Sequence, residues 1–357
     1  MDILIHPKKR LHIMTESQTK SIQKLIQRPL TIRNRTFNNR LVFAPMSRLG
    51  HVAFRELLSH YGHYGLLFSE MSAARAIPHE NRNVSTVFKW RDSEREKMVW
   101  QILGNSPEEM AKAARRIEDE GFFGVDINLS CSMSHICKRG MGASLLNKPQ
   151  LVIDMIKAVR LSVDIPIWVK FRIGWSDSPD NAVEFARYIE DAGADAITFH
   201  PRVAPDRRTR PPKWSYISTI KKAVSIPVFG NGNVFDMDDC YRMFTETGCD
   251  GISLGRIALS KPWVFAEWNG QFQPTEKDWK DVVSMYIELL KKHFNTELAR
   301  KRFVKFSKYY CAGFRFGNSL RSKIKKTENF DQIIDVFHHF FDSPLLLNMR
   351  PNENLFI

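Results

Sequence analysis

Cys131 ends the apolar stretch GVDINLS, three residues beyond Asn128, and is followed by a small, glycine-punctuated segment, Arg139-Gly-Met-Gly-Ala143. The pattern predicts a strand that delivers a thiol to its own C-terminal tip. A lone cysteine in such a place is commonly just a small buried hydrophobe. What sets Cys131 apart is that the chain repeats the same layout. Polar or special residues end one apolar run after another: Pro45 and Met46, Glu70, Gln101, Asn128 with Cys131, Lys170 with Arg172, His200 with Arg202, Asn231 with Gly232 and Asn233, and Gly255 with Arg256. Each alone has a bland explanation as a solvated charge or a satisfied polar group. Eight sets at the same relative position predict one constellation.

The last two sets specify its chemistry most closely. Phe229-Gly-Asn-Gly-Asn233 and Leu254-Gly-Arg256 are glycine-rich turns, whose bare backbone amides can hold a phosphate while Arg256 supplies countercharge. Tight turns without a ligand use the same glycines. With a phosphate there, Lys170 and Gln101 can meet the polar ring of an attached flavin, since a cation favours the anionic reduced form. Flavin mononucleotide (FMN), with its single phosphate, suits that arrangement.

The elements that must position these residues are eight short runs: Leu41 to Met46, Leu66 to Met71, Met98 to Gly104, Gly124 to Ser130, Ile165 to Gly174, Ala196 to Arg202, Ile226 to Val234 and Gly251 to Arg256. They are rich in Val, Ile, Leu and Phe without strict alternation, as in strands covered on both faces. Helices lie between them, one capped by Ser106 and stopped by Gly121, another begun by Asp180 and stopped by Gly193. Strand and helix alternating eight times predict an α/β fold, a (β/α)8 TIM barrel, followed by a smaller C-terminal helical domain. A doubly wound open sheet is the alternative, but no G-x-G-x-x-G follows the first strand. The domain expectation is a basic flexible extension over 1–28, the barrel over 29–270, a helical domain over 271–345 and a loosely structured tail over 346–357.

Composition narrows the function classes. The 357 residues carry 53 Lys and Arg against 39 Asp and Glu, a net charge of +14 that favours polyanionic partners, nucleic acid before membrane. Five cysteines, widely spread and without C-x-x-C spacing, argue against a disulfide framework or a structural zinc site and fit a reducing, cytoplasmic setting. No run approaches the roughly 18 apolar residues of a membrane span. The first 28 residues are polar and basic, a flexible or weakly helical extension with a mitochondrial-type presequence as the alternative. Between Lys291 and Lys326 stand 12 basic residues and one acid, Glu297. Phe303, Phe306, Tyr309, Tyr310, Phe314 and Phe316 are interleaved with them at a spacing that favours core over base stacking. Lys301, Arg302, Lys305, Arg315 and Arg321 are the expected RNA contacts of that segment.

Taken together, LVFAPM, LLFSEM, WQILGNSPEEM, GVDINLSCS with RGMGASLL, VKFRIG, TFHPR, PVFGNGNV and GISLGRIALSKPWVF resemble the dihydrouridine synthase family over roughly Pro29 to Asp342. The resemblance implies a flavin enzyme that reduces uridine in tRNA or another folded RNA. It implies FMN in the barrel, NADPH as electron donor, a C-terminal domain that helps hold tRNA, and action as a monomer. Carried over by position, it makes Cys131 the acid that protonates the base. Pro45, Met46, Gln101, Lys170, His200, Asn231, Gly232, Asn233, Gly255 and Arg256 become flavin contacts, and Asn128, Arg172 and Arg202 neighbours of the base. The family's Gly-Cys-Pro turn is Ser130-Cys131-Ser132 here, its Thr-Asp pair after Ala-Pro-Met is replaced by Ser47-Arg48-Leu49-Gly50-His51, and its His-Gly-Arg is His200-Pro201-Arg202. Cys137 is the secondary acid candidate. An FMN-dependent ene-reductase of small molecules and a catalytically degenerate RNA-binding barrel are the alternative readings.

Overall fold

The computed structural model describes residues 14–204, 206 and 210–356. Two short strands, β1 (Leu30–Ile32) and β2 (Arg35–Phe37), pair as an antiparallel hairpin ahead of the main sheet. The main sheet contains β3 (Leu41–Phe43), β4 (Leu67–Phe68), β5 (Ser72–Ala73), β6 (Met98–Leu103), β7 (Gly124–Leu129), β8 (Ile167–Gly174), β9 (Ala196–Val203), β10 (Val228–Asn231) and β11 (Gly251–Leu254). All its pairings are parallel, and β4 pairs with both β3 and β6, so eight strands close into a barrel with β5 as a short addition along β6. This is the predicted (β/α)8 barrel. Most of the strands end earlier than the apolar runs do. The Leu41 to Met46 run leaves its ladder after Phe43, ahead of Pro45, which has no N–H to donate.

Period-two geometry sorts each strand into an outward and an inward set. Leu41, Phe43, Trp100, Ile127, Val169, Phe171, Ile197, Phe199, Ile252 and Leu254 pack in the large core shared with the helices. Val42, Phe68, Val99, Trp168, Ala196 and Phe229 form a second cluster with Ile32 and Phe37 of the hairpin. The hairpin therefore plugs one end of the barrel with apolar side chains. Two residues further along the same strand faces stand Gln101, Lys170, Thr198, Asn231 and, from β7 and β11, Asp126 and Ser253. A polar layer thus follows the apolar plug by strand parity alone.

The helices follow their sequence signals closely. Ser106 caps Pro107–Asp119 through its side chain, which accepts from Glu109 N at 3.4 Å. The helix read as beginning at Asp180 is instead capped by Ser178, with Asn181 N donating to its hydroxyl at 3.2 Å, and runs Pro179–Asp191. Over its described part the N-terminal extension takes the helical of the two forms expected of it and not the flexible one. Thr15 and Gln18 form a capping box for a helix over Glu16–Ile26 that buries Ile22 and Ile26 in the main core, and Arg40 N donates to Ile26 O at 2.8 Å. The remaining residues of that extension lie outside the described set.

After the barrel come helices Glu276–His293, Thr296–Tyr310, Gly317–Ile324 and Phe330–Phe341. Phe303, Phe306, Tyr309, Tyr310 and Phe314 are core residues as their spacing predicts, while Phe316 is 63% exposed. The segment read as a loose tail is ordered against the body. Phe314 and Leu347 form an antiparallel bridge, Asn352 N donates to Ala312 O at 2.9 Å, and Leu355 and Phe356 are buried. Its apolar residues are too few to read as an element in sequence, and the partners that bury them are far away in the chain. Among the described residues no helix is long and apolar enough to cross a membrane, and no cluster of His, Cys, Asp or Glu is arranged to hold a metal.

The loop from Met46 to Gly50 is braced by a fully buried ion pair. Arg55 donates to Glu94 Oε1 at 2.7 Å, to Gly50 O at 2.6 Å and to Lys89 O at 2.7 Å, tying three loops together. Removing one partner of such a pair leaves an uncompensated buried charge. Arg55→Ala should therefore cost about 3 to 5 kcal/mol, read as a fall in the urea midpoint, and a loss below about 1 kcal/mol would contradict this role.

Candidate active site

At the C-terminal ends of the barrel strands opens a cleft of about 770 Å³. Its walls bring together Pro45, Met46, Gln101, Asn128, Cys131, Lys170, Arg172, His200, Arg202, Asn231, Gly232, Asn233, Gly255 and Arg256. Lys305 and Tyr309 of the helix Thr296–Tyr310 complete its rim. Of the other basic residues expected to meet RNA, Lys301 and Arg315 are exposed and Arg321 is half-buried, all outside the cleft. Arg302 is a different case. It is buried, donates to Thr86 O at 3.1 Å, lies 3.5 Å from Glu70 Oε1 and sits 4.3 Å from the Phe294 ring centroid, so it joins helix to barrel rather than facing solvent.

Cys131 is held by a directional chain of hydrogen bonds that starts at a residue the sequence reading passed over. Asp126, fully buried, accepts from Gln101 Nε2 at 2.7 Å. The direction is set at the far end, where the Ser130 and Cys131 backbone N–H groups can only donate: Asn128 turns its oxygen to them and its nitrogen to Gln101, which therefore turns its nitrogen to Asp126 and its oxygen to Asn128. Asn128 Nδ2 donates to that oxygen at 2.8 Å, which leaves Asn128 Oδ1 to accept from Ser130 N and Cys131 N, each at 3.0 Å. An Asx-type turn thereby presents the thiol where the family uses Gly and Pro. Ala143 N donates to Cys131 O at 2.8 Å from the other side of the loop. Gly142, at φ +63°, is needed for this approach, because a Cβ there would stand 2.5 Å from Cys131 O. Cys137 is not part of the cleft wall, and its Sγ faces back onto Cys131 O at 3.6 Å.

Burial pushes the Cys131 thiol above the ordinary cysteine value, against smaller opposing pulls from the Met133 amide, Arg172 and Lys170, so it keeps its proton at neutral pH. Lys170, which donates to Ser130 Oγ at 3.3 Å, is lowered by burial and by Arg172 beside it. Burial also raises Asp126. His200 is driven well below the ordinary histidine value by burial and by Lys170, Arg172, Arg202 and Arg256 around it, so it is neutral.

The cations of the cleft are anchored largely by neutral acceptors. Arg172 donates to Val203 O and Ala204 O at 3.2 and 3.1 Å, and Arg202 donates to Arg210 O at 2.9 Å. Asn233 Oδ1 accepts from Arg202 at 3.0 Å and from Arg256 at 2.6 Å, gathering the two guanidinium groups at one corner. Asp206, the carboxylate on the wall, pairs with Arg210 at 2.6 Å. Three guanidinium groups thus stand on the wall of one cleft, where an anion would meet them. Gly232, at φ +116°, leaves the backbone bare there, since a Cβ would meet the His200 ring at 2.8 Å. Buried His200 Nε2, Thr198 Oγ1, Ser253 Oγ and Asp126 Oδ1 have no protein hydrogen-bond partner among the described residues. A cationic corner, a bare turn and unpartnered polar atoms fit a phosphate-bearing, polar-edged cofactor. The helix after β11 covers only Arg256–Ser260, so turn amides and Arg256 carry that corner.

A family model for dihydrouridine synthase matches residues 42–341. The chain is 31% identical over 303 residues to a probable tRNA-dihydrouridine synthase 1 of Synechocystis sp., covering 83% of this chain and 85% of that one. It is 34% identical over 313 residues to a probable tRNA-dihydrouridine synthase of Mycobacterium tuberculosis, covering 82% and 80%. It is 28% identical over 326 residues to the tRNA-dihydrouridine synthase B of Vibrio cholerae, covering 88% and 99%. Among solved structures, the old yellow enzyme of Trypanosoma cruzi superposes with a TM-score of 0.53 at 12% identity over 76% of this chain and 98% of that one. Histamine dehydrogenase from Rhizobium sp. 4-9 gives 0.54 at 13% identity over 75% and 51%. These structural likenesses speak to the barrel fold alone.

The protonation state of Cys131 is directly measurable. Alkylation by iodoacetamide, followed on the Cys131 peptide by mass spectrometry, should reach half its limiting rate only above the free-cysteine value of about 8.5. An inflection well below that value would mean that Lys170 and Arg172 outweigh burial.

Proposed function

The chain belongs to the dihydrouridine synthase family, and we propose from this premise how its cleft reduces a uridine of tRNA to 5,6-dihydrouridine. The observation that carries the reading is the convergence of a proton-retaining thiol, a buried lysine and a cationic phosphate corner on one cleft, each from a different strand end. The enzyme is an oxidoreductase whose reaction depends on flavin. Within that, we assign FMN as the flavin and NADPH as its reductant. Asn231, Gly232, Asn233, Gly255 and Arg256 would hold the phosphate, and Pro45, Met46, Gln101, Lys170 and His200 the ring system.

Held by these residues in its reduced form, the flavin would supply a hydride for carbon 6 of uracil. The remaining work falls to side chains. Cys131 delivers the proton to carbon 5, which completes addition of two hydrogens across the double bond, and the thiolate then regains its proton from solvent. The raised proton affinity of the thiol suits a general acid that must be protonated before each turnover. Lys170, lowered yet still cationic in part, offers positive charge beside the cofactor as negative charge develops. Neutral His200 offers an unpaired Nε2 without adding charge. Asn128, Arg172 and Arg202 orient the base. A stacked or paired uridine cannot reach the floor of such a cleft, so the target nucleotide must be extruded.

The body of the tRNA is assigned to the helical segment, with Lys301, Arg315 and Arg321 on its phosphates and Lys305 at the rim. Lys305 donates to Ser47 O at 3.0 Å, linking that helix to the cleft loop. We assign 29–270 to cofactor and base, and 271–345 to RNA docking.

The test is turnover of unmodified tRNA with NADPH, read as dihydrouridine formed, alongside the visible flavin spectrum. Cys131→Ala should keep the flavin spectrum and lose about 10²- to 10⁴-fold in rate, whereas an unchanged rate would move the proton donor elsewhere. Replacing Lys301, Arg315 and Arg321 together with Ala should raise KM for tRNA with kcat held, and flatten the slope of log Kd against log salt by roughly 2 to 3 units. An unchanged slope would remove these residues from the RNA surface.

A further inference from the structure

The last residues of the chain reach the cationic corner of the cleft from outside. Leaving the helix Phe330–Phe341, the chain passes along 312–314, where Asn348 Nδ2 donates to Ala312 O and Phe314 O at 3.0 and 2.9 Å. Arg350 then pairs with both Asp236 and Asp239 at 2.5 Å, just beyond β10, and lies 5.2 Å from the Phe235 ring centroid. Phe356 is fully buried, with its ring 5.3 Å from Phe235 and stacked 5.6 Å from Tyr309, a residue of the cleft rim. The Arg256 guanidinium lies over both aromatic rings, 4.8 Å from the Phe235 centroid and 5.5 Å from that of Phe356.

These contacts complete a mount for Arg256. Its side chain is long and flexible, and one of its nitrogens donates to Asn233 Oδ1. Two aromatic faces fix the plane of the guanidinium, which decides whether it meets a phosphate with two donors or with one. One of those faces comes from the end of the chain. Arg350 clamps the tail to the acidic pair at Asp236 and Asp239, beside the Phe235 ring on which Phe356 packs.

We propose that Phe356, clamped through Arg350, is a positioning residue for Arg256, so that the C-terminal segment sets the affinity of the cleft for the phosphate of its cofactor. The inference rests on the assignment of that phosphate to Arg256. It predicts an effect confined to the phosphate, because neither tail residue lines the cleft itself.

The experiment compares FMN with riboflavin, which has the same ring but no phosphate, by titrating flavin fluorescence against full-length protein stripped of cofactor. The native chain should bind FMN far more tightly than riboflavin. Phe356→Leu, which keeps an apolar side chain of similar bulk but removes the aromatic face, should weaken FMN about fivefold to tenfold and leave riboflavin unchanged. Phe356→Tyr should restore FMN binding, and Arg350→Ala should follow Phe356→Leu. If the native chain discriminates and both variants match it, or if both flavins weaken equally, the positioning role is overturned. If the native chain binds the two flavins alike, the phosphate assignment itself fails, and the inference falls with it.

Discussion

Barrel closure makes strand parity binding on every residue of the interior. In an open sheet a strand can slip by one residue and repair the error at an edge, but eight strands paired in a ring leave no edge at which to do so. Trp168 and Phe229 face inward against the hairpin plug, and Lys170 and Asn231 must then face inward two residues later. The same rule puts Gln101 above Val99 and Thr198 above Ala196. The apolar plug and the polar cleft are thus one constraint, since the plug sets the register from which each functional side chain takes its direction.

The polar layer above that plug is costly, and its arrangement reflects the cost. Asp126 and Lys170 lie buried on neighbouring strands, where isolated charges are strongly disfavoured. Burial moves both toward their neutral forms, Asp126 upward and Lys170 downward. Asp126 offsets part of the cost by bonding to Gln101, the inner end of an amide chain that runs through Asn128 to the backbone of Ser130 and Cys131. Two backbone N–H groups therefore set the direction of both amides and, through them, which atom meets the buried carboxyl. This explains how the thiol loop keeps its shape with Ser130 and Ser132 where the family has Gly and Pro.

The barrel and its strand-end residues were legible because period, glycine turns and tip chemistry are local signals. Cys131, Lys170, His200 and Arg256 each end an apolar run, and a closed barrel leaves those ends nowhere to go but the cleft. The features that escaped are set by partners distant in the chain. Asp126 sits inside an apolar run and reads as an interruption until Gln101, 25 residues earlier, is seen to donate to it. Arg302 belongs to a basic run and reads as a phosphate contact until Glu70 and Phe294 bury it. Phe356 stands in a segment with no periodicity, and its meaning comes from Phe235 and Arg256.

The helical segment is built into the site rather than appended to it. Tyr286 Oη lies 3.2 Å from His51 Nε2, Arg302 faces Glu70, and Glu70 Oε2 accepts from Arg48 N at 2.7 Å. Lys305 bonds to Ser47 O in the same loop. The loop that follows β3 thus takes its shape from two helices more than 200 residues away, and it forms the wall that carries Met46. Its departures from the family pattern, Ser47 through His51, fall where these contacts are made. Ser47, Arg48 and Leu49 line the cleft together with Pro45 and Met46, so these departures stand on the cleft wall as well as at the helix joint. The joint takes hold of this loop through the Ser47 carbonyl, the Arg48 amide and the His51 ring, so among these contacts it depends on side-chain identity only at His51.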